Sequence, residues 1–182
     1  ALDVKLPGML TAVILRPPAF GGTVKSVDEA AAKAIKGVVD VVQVPTGVAV
    51  VANGFWAARQ GREALKVEWD LSKAETRGTG QIMAEYKALA KTPGRIVRND
   101  GDAVKAIAGA ARTFEAAFEF PYLAHAPMEP LDCVAQIRDG RCEVWTGSQI
   151  QTVDQATAAA IAGLKPEQVT INTRLAGGSF GR

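Results

Sequence analysis

Asp132-Cys-Val-Ala-Gln-Ile-Arg-Asp-Gly-Arg-Cys-Glu-Val-Trp-Thr146 decides the fold of the second half of the chain. Asp139-Gly140 is a two-residue hairpin signal, because both central positions of that turn need φ > 0. The turn sets a register: Arg138 opposite Arg141, Ile137 opposite Cys142, Val134 opposite Trp145. Cys133 then lies about 13 Å along the strand from the residue facing Cys142. A disulfide cannot span that distance, so both cysteines are expected as free, buried thiols. Cys133, Ala135, Ile137, Cys142, Val144 and Thr146 share one face, which the alternation assigns to the core.

Downstream, Thr146-Gly147-Ser148-Gln149 ends the second strand. A helix follows from about Gln151 to Ala162, with Ser148 or Thr152 near its cap, and stops at Gly163. Gln149 therefore stands at the carboxyl end of a strand beside a helix N-terminus, where free amides and the helix dipole attract ligands. It either donates to an oxo or phosphate oxygen or serves the helix cap. Val169 to Leu175 reads as another strand and runs into Ala176-Gly-Gly-Ser-Phe-Gly-Arg182. Adjacent glycines let backbone amides approach another molecule; the plainer alternative is a tight turn between strands.

Upstream, Ala111 to Phe120 alternates, with Phe114, Ala116, Phe118 and Phe120 on one side, and predicts a long strand. The loop Pro121 to Leu131 holds His125, the single histidine, with no metal-ligand spacing around it. It also holds Glu129, read either as a buried carboxylate binding backbone amides or as a general base with a raised pKa. The first 70 residues read as β-β-α-β-β-α-β, a compact α+β unit. The strands are Met9–Leu15, Thr23–Val27, Val38–Val44, Val48–Ala52 and Lys66–Asp70. The helices are Glu29–Ile35 behind Asp28, and Phe55–Leu65 with a rough stripe of Phe55, Ala58, Arg59, Arg62 and Leu65. Leu71–Thr79 is a linker, Gly80–Lys91 a helix, Arg95–Asn99 a short strand, and Asp102 caps a turn through Ala108.

With 48% hydrophobic and 22% charged residues, the chain has the composition of a soluble globular protein. A net charge of +2 is too small to point to nucleic acid or an anionic membrane. A domain that stops on Arg182 directly after a glycine turn is expected to be a fragment.

Three motifs in order, Tyr122-Leu-Ala-His-Ala-Pro-Met-Glu-Pro-Leu131, Trp145-Thr-Gly-Ser-Gln149 and Ala176-Gly-Gly-Ser-Phe-Gly-Arg182, resemble the molybdenum-binding large subunit of the xanthine dehydrogenase and aldehyde oxidase family. The likeness is greatest to its bacterial branch of isoquinoline 1-oxidoreductase and membrane-associated aldehyde dehydrogenase large subunits. Leu6-Pro-Gly-Met-Leu10, Arg16-Pro-Pro18, Val48-Ala-Val-Val51 and Trp56-Ala-Ala-Arg-Gln-Gly-Arg62 resemble the α/β hammerhead domain of those proteins. The resemblance implies an α+β fold with a hammerhead-like domain at 1–70 and the first part of a molybdenum cofactor-binding domain at 71–182.

It further implies a molybdenum–pterin cofactor in the full-length protein, in the cytosine dinucleotide form, and none in this fragment alone. The activity implied is oxidation of aldehydes or N-heterocycles with oxygen from water. An iron–sulfur small subunit, and a cytochrome as acceptor, would take the electrons; the periplasm, the membrane surface and the cytoplasm all stay open. Gln149 matches the glutamine that hydrogen-bonds an oxygen ligand of molybdenum. Gly177, Gly178, Ser179, Phe180 and Gly181 match the glycine-rich loop at the cofactor, with Ser179 where a third glycine is usual. Serine at that position would carry a cost if it needed φ > 0. Glu129 matches a position taken as structural, and the family's general-base glutamate is expected downstream. The alternative is a non-catalytic scaffold or interaction subunit that keeps the fold.

Overall fold

Valines spaced along residues 38–52 build the first sheet. Strand β3 (Val38–Val44) turns through Pro45-Thr46 into β4 (Gly47–Ala52), with Val44 opposite Gly47. Strand β1 (Thr11–Leu15) pairs with the other edge of β4, so the order is β1-β4-β3, antiparallel throughout. As the central strand, β4 is covered on both faces, and Val48 and Val50 are the largest fully buried side chains. Gly47 has φ 148°, and a Cβ there would fall 2.1 Å from the Leu15 carbonyl oxygen. Only glycine lets β4 start this close to β1.

Helix α2 (Phe55–Ala64) lies on this sheet and buries Ala58 and Gly61. A Cβ on Gly61 would come 2.7 Å from Val50 Cγ1 and 2.9 Å from Val38 Cγ2. The helix thus approaches the sheet through its smallest residues, and Phe55, expected in the buried stripe, is 61% exposed. Strands β2 (Thr23–Asp28) and β5 (Lys66–Asp70) form a separate antiparallel pair. Helix α1 (Ala30–Lys33) begins where the Ala30 N–H donates to the Asp28 carboxylate at 3.1 Å. Ala32, Val48, Val50 and Leu65 form the core. The element order is the β-β-α-β-β-α-β read from sequence.

Beyond the linker, α3 (Thr79–Leu89) and α4 (Ala103–Ala108) bury no residue. The Asp102 carboxylate accepts the Lys105 N–H at 2.9 Å, as its capping pattern predicts. Two expected strands are absent: Arg95–Asn99 and Ala111–Phe120 are irregular. Phe114, Phe118 and Phe120 are exposed. Alternation marks a face suited to burial, but a strand also needs a ladder partner, and among the described residues none pairs with this segment.

The computed structural model describes residues 1–180. It separates into two units, Leu10–Pro121, and Ala1–Met9 together with the chain from Tyr122 onward. Residues 1–9, read from sequence as part of the 1–70 unit, therefore lie with the second one. There, β6 (Cys133–Arg138) and β7 (Arg141–Thr146) form the hairpin in the expected register, Arg138 opposite Arg141 and Ile137 opposite Cys142. Strand β8 (Val169–Thr173) joins β7 in parallel, through the crossover helix α5 (Gln151–Ala162). Gly163, at φ 67°, ends α5, and the Leu164 N–H returns to the Ala159 carbonyl at 2.9 Å.

Ala159 of α5 sits against Cys142 and Val169 in the core of this unit, flanked by Val144 and Ile171. The expected core face is filled only in part. Cys142 is buried, whereas Cys133, Ala135 and Ile137 on the same face are exposed. One helix about 10 Å across covers two strands spaced about 4.8 Å apart. Here it covers β7 and β8 and leaves β6 as an open edge. Both cysteines are free thiols. Among the described residues, no helix is long and apolar enough to cross a membrane.

Candidate functional site

Parallel pairing makes β7 and β8 end on the same side, the last pair being Thr146 and Thr173. The segments that follow them, Gly147–Gln149 and Arg174–Phe180, therefore leave the sheet next to each other, as ligand-binding loops of parallel sheets do. The Arg174 N–H donates to the Thr146 carbonyl at 2.8 Å. Gly147 is close enough to Ala176 that an added Cβ would lie 3.4 Å from the alanine Cβ. Gln151, in the first turn of α5, bridges the two segments: its Nε2 donates to Thr173 Oγ1 at 3.1 Å and to the Ser148 carbonyl at 3.4 Å. The Ser148 hydroxyl donates to Asp154 at 2.5 Å. Gln149 is exposed between these anchors, and Ile150 occupies the N-cap position of α5.

The glycine segment is tied to the loop before β6. The Glu129 N–H donates to the Gly177 carbonyl at 2.9 Å, and the Met128 N–H to the Gly178 carbonyl at 3.0 Å. In return, the Gly177 N–H donates to Glu129 Oε2 at 2.9 Å. Gly178 has φ 59°, and a Cβ there would fall 2.8 Å from Met128 Cγ and 2.9 Å from its Cβ. Phe180 also occupies the left-handed region, at φ 51°, while Ser179 does not. Serine in place of the usual third glycine thus costs nothing at its own backbone. Gly181 lies outside the described residues. Among the described residues, no acceptor takes the Gly178, Ser179 or Phe180 amides. Consecutive free amides beside left-handed residues form a donor set suited to an anion or a metal-bound oxygen.

Glu129 is an acceptor with a depressed pKa. The Ala1 nitrogen donates to Oε1 at 2.8 Å and is the main cause, followed by the Gly177 N–H. The bond from the Gly177 N–H supports the amide-binding reading of this carboxylate. His125 is exposed in its loop. A cavity of about 650 Å³ lies between residues 1–6 and the β7–β8 side, lined by Val4, Leu6, Glu129, Trp145, Thr173 and Leu175 among others. Gln149 and Gly177–Phe180 do not line it. Sequence reasoning passed over Gln151 and Asp154, although a side-chain amide and a carboxylate in the first turn of a helix are usual partners for loop groups there. It also passed over Met128, whose closeness to Gly178 has no local signal.

The model of the molybdopterin cofactor-binding domain family matches residues 89–182. The chain belongs to this family. The β subunit of isoquinoline 1-oxidoreductase from Brevundimonas diminuta is 35% identical to this member over 195 residues, covering 100% of the chain and 24% of the relative. The membrane-bound aldehyde dehydrogenase [pyrroloquinoline-quinone] of Gluconacetobacter polyoxogenes is 31% identical over 191 residues, covering 100% of the chain and 25% of the relative. Quinoline 2-oxidoreductase from Pseudomonas putida 86 superposes with a TM-score of 0.69 at 20% identity, over 97% of this chain and 28% of that one. This last likeness establishes the α+β fold. The molybdopterin-domain chain spans about a quarter of the length of these curated relatives.

Proposed function

We propose that this chain is part of the large subunit of a molybdenum hydroxylase that oxidises aldehydes or N-heterocycles with oxygen from water. The observation that carries the reading is the meeting of two loops inside the matched region: the parallel ends of β7 and β8 set Gly147–Gln149 beside Arg174–Phe180. The amides of Gly178, Ser179 and Phe180, which meet no acceptor among the described residues, fit an anionic, oxygen-bearing group. The molybdenum–pterin cofactor, when bound, supplies the oxygen-transfer and two-electron chemistry. Gln149 contributes a neutral amide donor, and the glycine loop contributes backbone donors at close approach. Gly177 serves the protein instead, because its N–H is spent on Glu129.

The substrate classes follow the names of the relatives, an isoquinoline oxidoreductase and an aldehyde dehydrogenase. The name "subunit beta" supports a partner chain, which we assign as an iron–sulfur small subunit with a cytochrome as onward acceptor. The cytosine dinucleotide form of the pterin is part of the proposal. So is the division into a hammerhead-like domain at 1–70 and a cofactor-binding part at 71–182. The general base and most cofactor contacts are placed in the other three quarters of the parent length. The 182 residues alone are then expected to hold no cofactor tightly and to turn nothing over, since a large anionic ligand needs many converging donors.

Gln149→Ala in the full-length enzyme tests the reading. Loss of one preorganised donor is expected to lower kcat/KM by about tenfold to several hundredfold. Molybdenum content and melting temperature should be retained, because Gln149 is exposed. Unchanged kinetics, or a fall in melting temperature that accounts for all lost activity, would return Gln149 to a residue of the helix start. A full-length wild-type protein without turnover would favour the scaffold alternative.

A further inference from the structure

We infer that Glu129 is the positioning residue of the glycine loop. Its carboxylate fixes the Ala176–Gly177 peptide so that the next three amides stay available to the ligand. The inference rests on the cofactor role proposed for that loop, and it deepens that role by naming what holds the loop in shape. Glycine-rich exposed backbone has many conformations to lose, so a loop with two left-handed residues needs anchors. Three anchors come from Met128-Glu129. Two are backbone bonds to the Gly177 and Gly178 carbonyls, which orient the Gly177–Gly178 and Gly178–Ser179 peptides and with them the Gly178 and Ser179 N–H groups. They leave the orientation of the Ala176–Gly177 peptide open.

The carboxylate settles that orientation. Oε2 accepts the Gly177 N–H at 2.9 Å, and a flipped peptide would turn a carbonyl oxygen toward an anion. The other oxygen accepts from the Ala1 nitrogen at 2.8 Å, a second contact on the side chain. Asp132 reaches the same nitrogen at 3.4 Å. Glu129 does not belong to the core cluster of this unit, which is Cys142, Ala159 and Val169. Its loss should release the loop and leave the body of the fold in place.

The test uses the full-length protein with Glu129→Leu, which keeps volume and removes the acceptor, and Glu129→Gln, which keeps an acceptor oxygen. Amide exchange is read on the peptide spanning Arg174–Phe180, next to molybdenum content, pterin content and melting temperature. In Glu129→Leu, exchange at Gly177 should quicken about tenfold or more, the scale of one hydrogen bond to a charged group. Molybdenum occupancy should fall while the melting temperature moves little. Glu129→Gln should restore most of the protection and the loading, a rescue that lost packing would not show. Should Glu129→Leu fail to fold, Glu129→Ala against Glu129→Gln gives the same comparison. Wild-type exchange and loading in the acceptor-less variant would overturn the inference and leave the cofactor reading standing. A wild-type protein without molybdenum would sink the cofactor reading, and the exchange data would still decide whether Glu129 holds Gly177.

Discussion

Adjacent glycines in one loop should respond to different extents to the same methyl group. Gly178 has φ 59°, and its added Cβ would fall 2.8 and 2.9 Å from Met128 side-chain carbons. The backbone cost for an L-residue there is about 1–2 kcal/mol. Displacing Met128, which is struck at its Cβ and Cγ rather than at its flexible end, adds about 1–3 kcal/mol. Gly178→Ala should therefore destabilise the loop by about 2–5 kcal/mol. At Gly177, an added Cβ would lie 3.6 Å from Glu129 Oε2 and 3.8 Å from its Cβ, ordinary contact distances. Gly177→Ala should stay within about 1 kcal/mol of neutral. Because the loop is exposed, the loss should appear as faster proteolytic cleavage near residue 178 and lower molybdenum content, before any large change in global melting. Equal cleavage rates and equal metal content in the two variants would refute this account of the loop.

Gly47→Ala should cost at least about 3 kcal/mol, because its Cβ meets a backbone carbonyl that no rotamer change can move; denaturant melts that match wild type would contradict the β1–β4 packing. In the linker, hydrogen bonding from Arg77 holds the Glu75 carboxyl at about 2, below the ordinary 4.5. A depressed carboxyl contributes its stability fully above its unfolded value and loses it as pH falls through the folded one. Cleavage of residues 71–78 by an acid-tolerant protease should therefore rise between about pH 4.5 and 2, and a flat profile over that range would count against the pairing.

What the sequence disclosed was local. Asp139-Gly140 fixed the β6–β7 register because turn chemistry and alternation both lie within a few residues of it. Gly163 announced the end of α5 for the same reason. Gln149 and the glycine segment were each placed at strand ends, and parallel pairing of β7 with β8 then set those ends side by side. The misreadings all concern distant partners. Ala111–Phe120 has the alternation of a strand and no ladder among the described residues. The exposure of Cys133, Ala135 and Ile137 follows from the width of one helix laid across three strands, which no single strand encodes. Gly61 gives no hydrophobic signal, yet it is where α2 meets Val50. The bond from Gly177 to Glu129 links residues 48 apart, so the residue that shapes the loop was visible as a carboxylate between Met128 and Pro130, but its partner was not.

The central claim is that this chain carries part of a molybdenum–pterin site, and cofactor analysis of the natively purified full-length protein tests it most directly. The account predicts molybdenum and pterin together, in stoichiometric amounts. One relative bears the name of a pyrroloquinoline-quinone enzyme, which makes the opposing result concrete. A folded, active protein that contains that quinone and no molybdenum or pterin would contradict the account.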